Sequence, residues 1–351
     1  MRKTPAYAAA GATSPLAPFS IERREPGPRE VLIDILYCGV CHSDIHQVRD
    51  EWGGSIFPMV PGHEIVGRVA AVGDEAGKHR VGDLVGVGCF VDSCRQCRYC
   101  AAGEEQYCEQ GMTGTYNGRE RATGAPTYGG YSTRITVDED YVLRIPDGIA
   151  PERAAPLLCA GITTYSPLRH FGLAAGDGLA VVGLGGLGHM AVKFGVAMGA
   201  RVTVLSTSES KRADALALGA HAFAATRDAD TFKRLRGQFD FIIDTVSAPH
   251  DYNAYLSLLK VDGTMVLVGM PDQPLPLAAG ALVARRRRLA GSMIGGIRET
   301  QEMLDFCAAH GIASDVEVID IAQINVAYER MLRADVRYRF VIDIASLSSA
   351  D

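Results

Sequence analysis

Four cysteines stand within one short stretch, Cys94, Cys97, Cys100 and Cys108 in CRQCRYCAAGEEQYC. Two C-x-x-C steps that share a middle cysteine, followed by one more cysteine, bring four thiolates around a single tetrahedral zinc ion. Protein fills every position of such a site, so it holds structure and has nowhere to bind a substrate; the lobe around it folds with its metal. A zinc ribbon serving nucleic acid would present a basic face. Glu104, Glu105 and Glu109 lie in this lobe instead, and the chain carries a formal net charge of −6.

A second set of candidates is spread over the first half of the chain: Cys41 in GVCHSDIH, His63 and Glu64 in VPGHEIVG, and Cys159 in LLCAGITTY. Two cysteines and a histidine leave the fourth position on zinc open to water or substrate, the arrangement that catalysis requires. A third signal is VVGLGGLGHMAV, where Gly183, Gly185 and Gly188 keep the G-x-G-x-x-G spacing between a strand and a helix. The first glycine permits the tight turn, the second lets backbone approach a pyrophosphate, and the third lets the helix pack on the strand; the helix N-terminus then offers its free N–H groups to phosphate. About 20 residues on, where a carboxylate would select NAD through the ribose 2′-hydroxyl, the sequence reads VTVLSTSESKR. Ser206, Thr207 and Ser208 with Lys211 suit a 2′-phosphate, which a carboxylate would repel. NADP(H) is therefore expected, although Glu209 sits within the same turn.

These groups need two kinds of scaffold. Residues 1 to about 150 contain short β-type runs broken by glycine and proline: Val31 to Tyr37, Ile65 to Val72, Leu84 to Val87, Tyr131 to Val137 and Tyr141 to Ile145. They predict a compact β domain with irregular loops. Beyond Ala154, apolar strands at Leu179 to Val182, Val202 to Leu205, Phe239 to Asp244 and Thr264 to Gly269 alternate with helical stretches such as Gly186 to Met198 and Lys211 to Leu218. That alternation predicts a parallel, doubly wound sheet. Arg285 to Arg288 reads as a solvated turn before a strand at Leu289 to Ile294. Two helices, Glu299 to His310 and Ile321 to Arg333, and a strand at Arg339 to Ile344 close the chain.

Together the motifs resemble the medium-chain dehydrogenase/reductase superfamily, in its zinc-containing cinnamyl-alcohol-dehydrogenase-type branch, which includes bacterial aldehyde reductases. GVCHSDIH, PGHEIVGRV, the four-cysteine lobe, YGGYS, CAGITTYSPL, GLGGLGH, the STS-K element and GSMIGGIRET carry the likeness over nearly the whole chain. The resemblance implies an α/β plus β protein: a GroES-like catalytic domain, 1–157 and 295–351, interrupted by a Rossmann domain, 158–294. It implies a catalytic zinc on Cys41, His63 and Cys159, with Glu64 beneath the metal and able to exchange onto it. Asp44 would support the ligand histidine, Ser43 would touch the substrate oxygen, and His46 would end a proton relay. Cofactor contacts would come from His42, Thr163, Gly183, Leu184, Gly185, Gly186, Leu187, Gly188, Ser206, Thr207, Ser208, Lys211, Val268, Gly269, Ser292 and Ile294. Two zinc ions per chain, NADP(H), a small alcohol or aldehyde substrate and a homodimer complete what the resemblance implies.

Helix N-capping is the alternative account of Ser43 and Asp44, and loop packing that of Trp52, which otherwise lines a pocket tolerant of aromatic substrates. An NAD-linked polyol or secondary-alcohol dehydrogenase is the rival enzyme, and an acidic residue in place of Ser206 would have favoured it. The charge balance disfavours a nucleic-acid partner. No stretch approaches the roughly 18 apolar residues of a membrane span, and the N-terminus lacks a secretory h-region. With nine cysteines in one chain, reduced thiols in a cytoplasmic protein are the expectation.

Overall fold

The run EVLIDILYCG is apolar apart from Glu30 and Asp34, with Val31, Leu32 and Ile33 buried in succession, and it forms the strand Glu30–Gly39 at the centre of a mixed sheet. Val31 and Ile33 have no exposed surface; at about 1.5–3 kcal/mol for each such side chain, this strand is a principal anchor of its sheet. The structure, a computed structural model, describes residues 2–228, 230–271 and 273–347. The chain separates into two compact units, one formed by the stretch up to Cys159 with the stretch from Gly295 onward, the other by Ala160–Ile294.

In the first unit the sheet order is Val316–Asp320, Arg339–Asp343, Glu30–Gly39, Ile65–Val72, Leu84–Val87 and Leu143–Arg144, and Arg134–Asp138 also pairs with the central strand. Register brings distant residues to one edge. Cys38 stands opposite Ile65 on one side and Ile342 on the other, while Gly39 donates to the Glu64 carbonyl at 2.9 Å and Val40 to that of Phe340, also at 2.9 Å. Cys41, Glu64 and Arg339 thus meet at the end of this strand triplet, although 275 residues separate Arg339 from Glu64.

In the second unit six strands run in parallel in the order Ala222–Ala225, Arg201–Ser206, Gly178–Val182, Phe239–Asp244, Leu259–Leu267 and Arg288–Gly291. By chain order this is 3-2-1-4-5-6, whose direction of winding reverses between strands one and four; ligands of such sheets bind in the crevice outside that point. Val182 pairs with both Leu205 and Asp244, Asp244 with Leu267, and Leu267 with Gly291. The carboxyl ends of five strands therefore lie in one row.

Several elements differ from expectation. The hairpin Arg2–Ala9 with Leu16–Arg23 and the strand Val316–Asp320 were not expected. The strand expected at Tyr131 to Val137 starts at Arg134, and that at Tyr141 to Ile145 shrinks to Leu143–Arg144 behind the 3-10 turn Glu139–Tyr141. Asp138 caps that turn by accepting from the Asp140 N–H, which diverts the chain from the sheet. The arginine run is only partly a solvated turn. Arg286 pairs with Asp262 on the surface, but Arg287 donates to the carbonyls of Ser257, Leu259 and Ala281 and so closes chain ends that would lack partners. Among the described residues, no helix is long and apolar enough to cross a membrane.

Candidate active site

Cys41 is the N-cap of the helix His42–Val48, and Asp44, at the third helical position, accepts the Cys41 N–H at 2.9 Å. The cap belongs to Asp44, not Ser43, whose hydroxyl lies 3.7 Å from the Cys41 sulfur. Asp44 has no exposed surface and is held from several sides. It accepts from the Gly62 N–H at 3.2 Å and the Tyr131 hydroxyl at 3.3 Å, and faces His63 Nδ1 at 3.2 Å. With Nδ1 committed to Asp44, Nε2 is left to serve as a ligand, which is how a carboxylate fixes the tautomer of a metal-binding histidine. Burial works against charge on His63, but Asp44 and the thiols around it outweigh that and raise its pKa well above the usual imidazole value. Tyr116 stacks on the ring at 5.7 Å.

Donor atoms of Cys41, His63, Glu64 and Cys159 all lie within 4.8 Å of one another. The two sulfurs are 3.9 Å apart. That separation is far longer than a disulfide, and matches the roughly 3.8 Å between sulfurs that tetrahedral zinc with Zn–S bonds of about 2.3 Å would impose. Cys159 follows the buried 3-10 turn Ala155–Leu158 and is itself buried. Glu64 bonds Arg339 through Oε1, while its buried Oε2 has no hydrogen-bond partner among the described residues. Such an orphaned acceptor beside two thiols and an imidazole suits a divalent cation. Gly39 makes room for it, since a Cβ there would lie 1.9 Å from Oε2. Arg339 was not anticipated from the sequence. Its only local signal is a cation opening the buried strand RFVID.

The four cysteines of the lobe form the second cluster within the same 4.8 Å limit. Cys100 lies 3.9 Å from Cys94 and 3.5 Å from Cys97, and the Cys94 N–H points to the Cys108 sulfur at 3.3 Å. Backbone N–H groups around Cys97 lower its thiol to about 6, which favours the thiolate that binds zinc. Further along, His46 Nδ1 meets Glu51 at 2.5 Å and its ring stacks on Trp52 at 4.8 Å. Trp52 therefore packs on an imidazole rather than on the loop alone. His42 is exposed beside them.

In the second unit the three fingerprint glycines answer different needs. Gly183 has a φ of +88°, and a Cβ there would meet Val246 at 2.7 Å; one at Gly188 would meet the Gly183 carbonyl at 2.2 Å. A Cβ at Gly185 would meet nothing within 4 Å. Among the described residues no neighbour excludes a side chain there, and open space in front of backbone is what a pyrophosphate requires. Leu184, Gly186 and Leu187 complete this turn before the helix Gly188–Ala197. Ser206 ends its strand, Thr207 and Ser208 are exposed, and Ser208 shares a 2.7 Å hydrogen bond with Ser210. Glu209 is engaged by Arg212, which also lies over Phe223, and Lys211 closes the same turn through its N–H to the Ser208 carbonyl at 3.2 Å. Val268 and Gly269 both donate to the Asp244 carbonyl, Ser292 donates to that of Leu267, and Ile294 adopts a φ of +42° just before the chain leaves the unit. Thr163 is buried in the helix Ala160–His170.

Residues 27–147 match the family described as alcohol dehydrogenase GroES-like domain, and residues 186–309 that described as zinc-binding dehydrogenase. NADP-dependent alcohol dehydrogenase C 1 of Mycolicibacterium smegmatis is 59% identical over 99% of this chain and 100% of its own. The chain belongs to the zinc-containing medium-chain dehydrogenases. Within this superfamily the cinnamyl-alcohol-dehydrogenase branch is its place, as two further relatives show. Aldehyde reductase YahK of Escherichia coli is 57% identical over 99% of each chain. A cinnamyl alcohol dehydrogenase of Sorghum bicolor superposes with a TM-score of 0.95, at 47% identity and 98% coverage of each chain. As a zinc-containing dehydrogenase of this branch, the protein has a reason for both cysteine clusters and for the glycine-rich turn.

Proposed function

We infer that this dehydrogenase interconverts primary alcohols and aldehydes with NADP(H), and that aldehyde reduction is its working direction. The observation that carries the reading is the cluster of Cys41, His63 and Cys159 with the orphaned Glu64 Oε2 beside it. Those residues would hold a catalytic zinc, and Cys94, Cys97, Cys100 and Cys108 a structural one. When bound, zinc supplies a Lewis acid for the substrate oxygen and the nicotinamide supplies the hydride. Asp44 orients His63, and Ser43 offers its hydroxyl proton to the product oxygen. His46, held by Glu51 and Trp52, exchanges that proton with solvent. The names of the relatives, an aldehyde reductase and a cinnamyl alcohol dehydrogenase, support an alcohol/aldehyde pair as substrate and product. Family habit alone supports a homodimer in the cytoplasm, which sedimentation of purified protein and fractionation of its host would test.

The cofactor assignment is tested most directly. A 2′-phosphate gains charge-assisted hydrogen bonds from Ser206, Thr207, Ser208 and Lys211 worth about 1.5–3 kcal/mol each. One of them, kept through the transition state, gives NADPH a kcat/KM advantage of about tenfold or more over NADH. Ser206→Asp should erase or reverse that preference, and Lys211→Ala should weaken NADPH use while leaving NADH use nearly unchanged. Equal use of the two cofactors by the unaltered enzyme at low salt would refute the assignment. For the relay, His46→Gln should lower kcat by about tenfold, because water replaces a group at the solvent end only partly, and should change the shape of the pH–rate profile. An unchanged rate and profile would return His46 to the role of a surface ring packed on Trp52.

A further inference from the structure

At the point where the parallel sheet reverses its winding, Asp244 ends the strand Phe239–Asp244 beside the glycine-rich turn that follows Val182. Asp244 is 1% exposed. Its Oδ1 accepts the Val246 N–H at 3.1 Å, and its Oδ2 meets His250 Nε2 at 2.8 Å. The other ring nitrogen, Nδ1, lies 2.9 Å from the Ala248 carbonyl. Both nitrogens of His250 thus face acceptors. A neutral imidazole donates through one nitrogen only, so the Asp244 carboxylate oxygen and the Ala248 carbonyl both receive a proton donor when His250 is an imidazolium.

The loop closed by this pair borders the crevice from two sides. Val246 and Thr245 are the atoms that a Cβ on Gly183 would strike, at 2.7 and 2.9 Å, and Thr245 also fixes the turn by donating to the Val182 carbonyl at 2.8 Å. On the other side, a Cβ on Gly269 would strike the Val246 carbonyl oxygen at 2.6 Å, and the Met270 N–H reaches the Ser247 hydroxyl at 3.2 Å. Five residues, Thr245 to Pro249, are therefore clamped between the phosphate-binding turn and the end of the next strand, with the Asp244 to His250 contact closing their ends.

We propose that His250, held as an imidazolium by Asp244 and Ala248, is a positioning residue that keeps this loop in its cofactor-binding shape, so that loss of its proton weakens cofactor binding. The proposal rests on the reading of this unit as the NADP(H) site. The titratable groups around the ring all favour or tolerate the cation. Asp244 faces it from the strand; Asp251, Tyr252 and Tyr255 face it from the helix Tyr252–Ser257 and its cap, the tyrosine rings centred 4.1 and 5.2 Å away. Burial lowers the pKa of His250, but the hydrogen bond and charge of Asp244 outweigh it, and the net direction is upward from the ordinary 6.5. A histidine raised in this way contributes stability that is fully present below its unfolded pKa and is lost as pH rises through the folded one. Weakening is thus expected as pH rises through a value above the ordinary 6.5.

The test uses zinc-loaded enzyme and NADPH, with the dissociation constant followed by nicotinamide fluorescence from pH 6 to pH 9, and NADH as a control that lacks the titrating 2′-phosphate. Both constants should rise by about tenfold across the window, equivalent to roughly 1.4 kcal/mol, in step with the His250 ring resonance followed by NMR in the enzyme without cofactor. His250→Gln and Asp244→Asn should bind more weakly at pH 7 and show no such rise. If either variant fails to fold, the unaltered enzyme decides alone, because its constants must follow the ring resonance. A flat constant in the unaltered enzyme, or the same rise in a folded His250→Gln, would overturn the proposal while leaving the cofactor reading intact. Failure of NADPH to bind at pH 7 would overturn the cofactor reading and this proposal with it.

Discussion

Cys159→Ser is expected to give a folded protein with one zinc ion per chain instead of two, and a kcat/KM lower by on the order of 10³-fold or more. Lewis-acid stabilisation of the substrate oxygen is worth several kcal/mol, and each 1.36 kcal/mol is tenfold in rate. The fold should survive because Cys159 follows a turn, Ala155–Leu158, whose four side chains are already buried without help from a metal. Cys97→Ser should behave in the opposite way. Its lobe is built from the short helix Arg98–Ala102, with no buried residue, and the turn Glu105–Tyr107, so the metal is the principal centre on which it can fold. Limited proteolysis within residues 94–108, together with loss of soluble protein, is the expected signature. Metal analysis, circular dichroism and steady-state rates on both variants distinguish the roles. An active Cys159→Ser enzyme retaining both ions, or a Cys97→Ser protein as stable as its parent, would show that the clusters have been assigned the wrong duties.

Why these two clusters were legible and other parts of the site were not follows from the distance over which each signal acts. The lobe cysteines and the glycine fingerprint are local patterns, because a metal or a phosphate imposes short spacings on the chain that surrounds it. Cys41, His63 and Cys159 are far apart, but each lies in a distinct motif and their chemistry is complementary. Glu209 was ambiguous for the opposite reason. A carboxylate in the ribose turn changes meaning once Arg212, only three residues away, is seen to engage it. His250 gave no signal, since a histidine after a proline-containing turn reads as loop and only the fold returns it to Asp244. The first hairpin was missed because RKTPAYAA has neither alternation nor β-branched residues apart from Thr4. It owes its strand form to pairing with Leu16–Arg23.

Arg339→Ala is expected to lower stability by about 3–5 kcal/mol at pH 8, the range for breaking a buried ion pair from one side. Arg339 is 5% exposed and Glu64 is not exposed at all. Comparing parent and variant in the same metal-loaded state keeps any bond from Glu64 to the ion common to both. Burial, even against the pull of Arg339, pushes the Glu64 carboxyl up from 4.5 to about 7. Removing the guanidinium raises it further. An acid whose folded pKa is raised supports the fold while it is protonated and ceases to do so as pH rises through that value, so the variant should lose more stability at pH 8 than at pH 5.5. Urea midpoints at the two pH values measure the difference. Adding Glu64→Gln to Arg339→Met should recover much of the loss, since no buried charge is then left unpaired, and the non-additivity of the cycle reports the coupling. Equal losses at both pH values, with strictly additive effects, would mean that Arg339 contributes only packing, and that Glu64 is positioned by Gly39 and its own strand alone.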